Sequence, residues 1–204
     1  MSENLEIVIN YPEIAKRLLS AFPDSLSDEV NAILVLITTT HYPLSPDNIC
    51  TVVISGEQIH IPYRIYFPEP DEILLNSLND IELTILACIY SRHHDGLVRL
   101  KYLNRLLTVN DAWVAPFVLQ LTGEYVIEII ETVFQNIELL PLELYAKFIA
   151  ENQPFIDVLK QKIISYWNCY FLYRAFYFKD YVGFKLADKL GMWKKGDIKH
   201  LLAR

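Results

Sequence analysis

From residue 80 to residue 178 the apolar side chains recur at three- and four-residue spacing with only short polar breaks, a period that commits most of this chain to helix. Residues 81–91 are apolar nearly all round, as expected of an interior helix. Gly96 interrupts the pattern, and Leu97, Leu100, Leu103 and Leu107 begin the next segment. Asn110 or Asp111 is placed to cap a helix from Ala112, with Pro116 in its first turn. Gly123 separates that helix from residues 124–135. There Tyr125, Val126, Ile129, Ile130 and Val133 form one stripe, and Glu124, Glu128 and Glu131 a solvated opposite face. A helix over 142–151 is ended by Pro154, and the longest one follows over 155–178.

The N-terminal part reads differently. Residues 11–22 form a short amphipathic helix between Pro12 and Pro23, and Ser25 or Ser27 caps a second helix running to Thr39. Residues 50–67 carry a hairpin signal. Val52, Val53 and Ile54 lead into Ser55-Gly56, after which Ile59, Ile61, Ile65 and Phe67 alternate with polar residues. Pro62 lacks an amide donor, so the second strand must be an edge or bend there. The expected fold is mainly α, an irregular helical bundle or an α-solenoid-like stack of helical hairpins, with one small β-hairpin near residues 50–67. One domain spans 1–204, with 180–204 a candidate basic helical extension. The units share no self-similar residue pattern that would define a repeat family.

Composition excludes several classes. Apolar residues are 52% of the chain, enough to drive folding and to exclude wholesale disorder. Cys50, Cys88 and Cys169 are odd in number and far apart, so neither a disulfide framework nor a zinc motif is expected. The acidic N-terminus has no secretory pattern, and the apolar run 163–178 is shorter than a bilayer span, so a cytoplasmic protein without membrane contact is expected. There is no glycine-rich phosphate loop, G-x-S-x-G elbow, H-E-x-x-H or paired C-x-x-C. No catalytic residue, cofactor or metal is assigned.

Four features invite a functional reading. Arg92-His93-His94-Asp95 offers imidazole and carboxylate groups that suit a divalent metal and hydrolysis, although Asp95-Gly96 equally describes a helix–helix turn. Arg92, Arg99, Lys101 and Arg105 form a local basic patch that can meet phosphates or simply solvate a helix face. Ten of the twenty residues from 165 to 184 are aromatic. Trp167, Tyr170 and Tyr177 are assigned to a core face, and Phe171 and Phe178 to a second face that is either core or partner surface. Tyr173, Arg174 and Tyr181 complete that candidate interaction site.

Finally, residues 184–192 resemble the first helix and turn of a helix-turn-helix, with Ala187 for close packing and Gly191 for the turn. Gly196 and Asp197 fall where a recognition helix should run. The charge is split, with eight cations against three carboxylates from Arg174 onward, leaving about +5 there and −12 before it. Lys194, Lys195 and Lys199 make this end a candidate nucleic-acid contact. The preferred reading is a non-enzymatic interaction protein, a scaffold, adaptor or inhibitor of the immunity type, with a protein partner. The alternatives are nucleic-acid binding through the basic end and a metal-dependent hydrolase around His93, His94 and Asp95.

Overall fold

A computed structural model describes residues 11–37, 49–194 and 196–197. Among them ten α-helices run in the order α1 (Tyr11–Leu19), α2 (Ser27–Leu34), α3 (Glu72–Leu75), α4 (Asp80–Tyr90), α5 (Gly96–Leu106), α6 (Ala115–Thr122), α7 (Ile127–Gln135), α8 (Leu142–Glu151), α9 (Gln153–Tyr166) and α10 (Val182–Lys189). Strands β1 (Ile49–Ile54) and β2 (Glu57–Pro62) pair antiparallel between α2 and α3. The fold is mainly α with one small hairpin, as the sequence pattern predicts.

Local signals account for most boundaries. Asn79 accepts hydrogen bonds from the Ile81 and Glu82 amides while the Glu82 carboxylate accepts from the Asn79 amide, a reciprocal cap that starts α4. Asp95 caps α5 by accepting from Leu97 N–H at 2.8 Å. The hairpin turns on Ser55 and Gly56, both at positive φ (53° and 87°), the two-residue geometry that matches strand twist. Pro62 is the last residue of β2, where its missing amide interrupts no further pairing. Helix α2 stops at Leu34, short of the expected end at Thr39, which lies outside the described residues.

The buried side chains form one continuous cluster from Ile14 to Met192. One helix lies wholly inside it and a second is exposed only in its first turn. All eight residues of α6 are buried, and so is every residue of α4 from Thr84 to Tyr90. Helix α6 packs against α7, α8, α9 and α10, while α2 packs on α4 and α10 returns to α6 and α7. A solenoid unit touches only its sequence neighbours. Here late helices close back on early ones, so the architecture is an irregular bundle. The segment from α10 to Met192 belongs to that bundle, since Leu186, Ala187, Leu190 and Met192 are buried in the same cluster.

Asn152, between α8 and α9, holds the hairpin to the bundle. Its side chain accepts from Val53 N–H at 2.7 Å and donates to Val53 O at 2.9 Å. This places β1 alongside α9.

The expected helix over 155–178 is instead broken. Helix α9 ends at Tyr166, a π-turn occupies Trp167–Phe171, and the chain then leaves helical geometry until a short 3-10 turn at Phe178–Asp180. Trp167 Nε1 donates to Ala175 O at 2.7 Å and holds the loop folded back. The π-turn and the loop after it end the helical register, so of the expected core face Trp167 stays buried while Tyr170 and Tyr177 do not. Phe171, Phe178 and Tyr181 are buried, whereas Tyr170 and Tyr177 are exposed.

Candidate functional site

Three arginines converge on one carboxylate inside the bundle. After β2 the chain runs beside the α4–α5 connection, with Ile65 N–H donating to Arg92 O at 2.9 Å and His94 N–H to Ile65 O at 3.0 Å. That pairing brings Arg64 to Arg92. Arg92 follows the end of α4, Arg99 lies in the first turn of α5, and Glu124 follows the end of α6. Arg64 Nη2 donates to both Glu124 oxygens at 2.8 Å. Arg92 and Arg99 reach the same carboxylate at 3.2 and 3.3 Å.

Arg92 and Arg99 are 0% exposed and Glu124 is 4% exposed. Arg92 also donates to Gln120 Oε1, and Arg99 satisfies the carbonyls of His93 and His94 at 2.7 and 2.8 Å. The Nε groups of Arg92 and Arg99 have no partner among the described residues. The cluster holds three cations against one anion, a net charge of about +2 within an otherwise acidic chain. Burial lowers the Arg92 pKa to about 10, with the Glu124 carboxylate opposing and the two neighbouring guanidiniums adding to the shift.

A cleft of about 310 Å³ opens beside this cluster, between β1 and α9. Phe155 and Leu159 form buried walls, Ile49 and Val158 an exposed rim, and Gln120 and Lys162 supply polar groups. Lys162 Nζ lies 4.4 Å from the centre of the Tyr63 ring, and Arg64 Cζ lies 4.6 Å from it. Tyr166 has its pKa raised to about 12, chiefly by burial and then by the neighbouring Tyr63. Cys50 lines the cleft with its thiol pushed up to about 11 by burial, while Arg92 and Lys162 pull the other way. A thiol so placed is protonated at neutral pH and is no nucleophile.

The second surface feature is the loop after α9. Tyr173 is 79% exposed and Phe176 72%, with Tyr170 and Tyr177 also exposed. Arg174 lies over the Tyr173 ring at 5.6 Å and Lys179 over the Tyr177 ring at 5.4 Å. Tyr173 and Arg174 are therefore surface groups. Phe171, Phe178 and Tyr181 are packed core, with Phe171 stacked on Tyr181 at 5.3 Å and Phe178 against Trp167 at 5.0 Å. The rings beneath are sealed by those neighbours, so the candidate interaction site reduces to the exposed part.

The basic patch of residues 92–105 does not form as a surface. Arg92 and Arg99 turn inward because Glu124 draws them, Lys101 pairs with Glu69, and Arg105 bonds Asp80 at 3.0 Å. Glu124 is accordingly no part of a solvated face, whereas Glu128 and Glu131 are exposed. His93 is structural: Nδ1 accepts from Asp95 N–H at 3.1 Å, which leaves Nε2 to donate to Phe67 O at 3.0 Å. His94 stacks on Tyr66 at 5.0 Å and Asp95 caps α5. Lys194 is exposed, and Gly191 turns the chain at φ 72° after α10. Residues 192–194 are not helical. Lys195 and Lys199 lie outside the described residues.

Arg64, Gln120 and Lys162 were missed by pattern reading. Gln120 had a signal, as the one amide in an otherwise apolar run from residue 112 to 121. No helix among the described residues is long and apolar enough to cross a membrane. The chain matches no protein-family model, no curated protein and no solved structure.

Proposed function

We propose that this protein acts without catalysing a reaction, as a scaffold, adaptor or inhibitor that captures a protein partner through the aromatic loop 170–177. One observation carries the reading: Tyr173 and Phe176 stand open to solvent beside aromatic neighbours that are fully packed. Exposed tyrosine and phenylalanine side by side are costly to hydrate and are concentrated at protein interfaces, where the rings supply large contact area. The flanking Arg174 and Lys179 favour a partner that surrounds an apolar patch with carboxylates. Their cation–π contacts with Tyr173 and Tyr177 hold both charges at the patch.

The test is a comparison of the wild-type chain with Tyr173→Ser and Phe176→Ser combined. Both positions are exposed, so the melting temperature is expected to change little, as for surface substitutions in general. Capture of a partner from the native host, or self-association in sedimentation experiments, should be lost in the variant and kept in an Asn168→Ser control. Equal behaviour of all three proteins would sink the reading.

A further inference from the structure

The cleft between β1 and α9 is the second place where the chain leaves physical chemistry unfinished. Its wall is apolar, through Phe155, Leu159 and the rim residues Ile49 and Val158. Its polar atoms divide sharply by character. Thr51 Oγ1 is bonded to His60 at 3.1 Å, the Tyr63 hydroxyl can donate as well as accept, and Cys50 is held as a neutral thiol. The two other polar side chains, Lys162 and Gln120, present donors. Lys162, the cleft's one charged side chain, makes no ion pair among the described residues and rests only on the Tyr63 ring.

Gln120 supplies the other donor. A guanidinium can only donate, so the Gln120 atom facing Arg92 must be its carbonyl oxygen, which leaves the NH₂ without a partner among the described residues. Gln120 is buried, so this amide is held in one orientation at the inner end of the cleft. Behind it stands the arginine cluster, three guanidiniums with a single carboxylate between them. Lys162 adds a fourth cation to the neighbourhood. Uncompensated cations are expensive to keep out of water, and an anion arriving in the cleft offsets that expense.

We propose that this cleft binds a small amphipathic carboxylate, with its apolar chain along Phe155, Val158 and Leu159 and its head group accepting from Lys162 Nζ and the Gln120 amide. The volume, about 310 Å³, lies at the lower end of ligand-sized clefts and fits a short chain, not a nucleotide. Charge selects the head group. Lys162 and Gln120 both donate and the surrounding field is positive, so an alcohol forfeits the charge-assisted bonds and an amine is repelled. The site is separate from the aromatic loop and does not rest on the interaction reading.

The experiment titrates the full chain with hexanoate, octanoate and decanoate by calorimetry, against octan-1-ol and octylamine as chain-matched controls. One carboxylate per chain is expected, bound at least about tenfold more tightly than the alcohol, the scale of a charge-assisted hydrogen bond. Lys162→Gln should reduce the best carboxylate to the level of the alcohol. Val158→Trp, placed on the exposed rim, should fill the cleft and abolish binding while leaving the melting temperature unchanged. The proposal is overturned if no carboxylate binds, if acid and alcohol bind alike, or if carboxylate binding survives Val158→Trp. A Val158→Trp protein that melts early is replaced by Val158→Phe, to which the same outcomes apply.

Discussion

Glu124 is the single acceptor charge shared by Arg64, Arg92 and Arg99, and all but Arg64 are fully buried. Glu124→Ala leaves those guanidiniums facing one another, and breaking a buried ion pair from one side costs about 3–5 kcal/mol. That is a large share of a domain's roughly 5–15 kcal/mol. Urea unfolding should show the midpoint falling sharply for Glu124→Ala and less for Glu124→Gln, which keeps one acceptor oxygen. His93 gives the pH dependence. Burial, followed by the neighbouring His94, holds its pKa below the ordinary 6.5, so the unfolded chain binds the proton more readily than the folded one. Stability is therefore complete above that value and lost as pH falls below it. Between about pH 7.5 and about pH 5.5 the urea midpoint should drop, and His93→Gln should drop less. Little of this was legible in the sequence. Glu124 sits at helical spacing with Glu128 and Glu131, and it leaves their face because α7 begins only at Ile127. Arg92 and Arg99 read as surface charges because periodicity reports burial of apolar groups and is silent on which cations find a buried anion.

At the scale of elements, α8 is found with the bounds its pattern predicts, and α4 is interior from Thr84 to Tyr90, where its apolarity runs all round. Those segments were legible because their periodicity and their tertiary surroundings agree. The aromatic segment was not, because aromatic residues mark burial without marking register. A π-turn at Trp167–Phe171 is invisible in spacing, and with the non-helical loop after it the later rings no longer follow helical faces. The consequence is measurable. Phe178 packs against Trp167, Phe184 and Trp193, so Phe178→Ala should cost about 3–5 kcal/mol, the usual range for a ring removed from a packed interior. Phe171→Ala should behave alike in denaturant titrations. A shift within about 0.5 kcal/mol at either position, typical of a surface site, would contradict the packing described here.

Across the whole molecule, the charge split has a structural counterpart. Lys160 on α9 bonds Asp157 at 2.9 Å and Asp197 at 2.8 Å, which ties the basic end to the acidic body by one of its few carboxylates. The hairpin is tied similarly, by a residue far along the chain. Val53 waits for Asn152, 99 residues later, to satisfy its backbone groups. During synthesis at about 5–20 residues per second that interval lasts roughly 5–20 s. A two-stranded hairpin is at best marginally stable alone, and this one carries Val52, Ile54, Ile59 and Ile61 toward a bundle whose α8 and α9 do not yet exist. The nascent chain thus emerges from the ribosome with an apolar strand pair it cannot shelter, and the order of translation leaves the hairpin uncovered until the last third of the protein arrives.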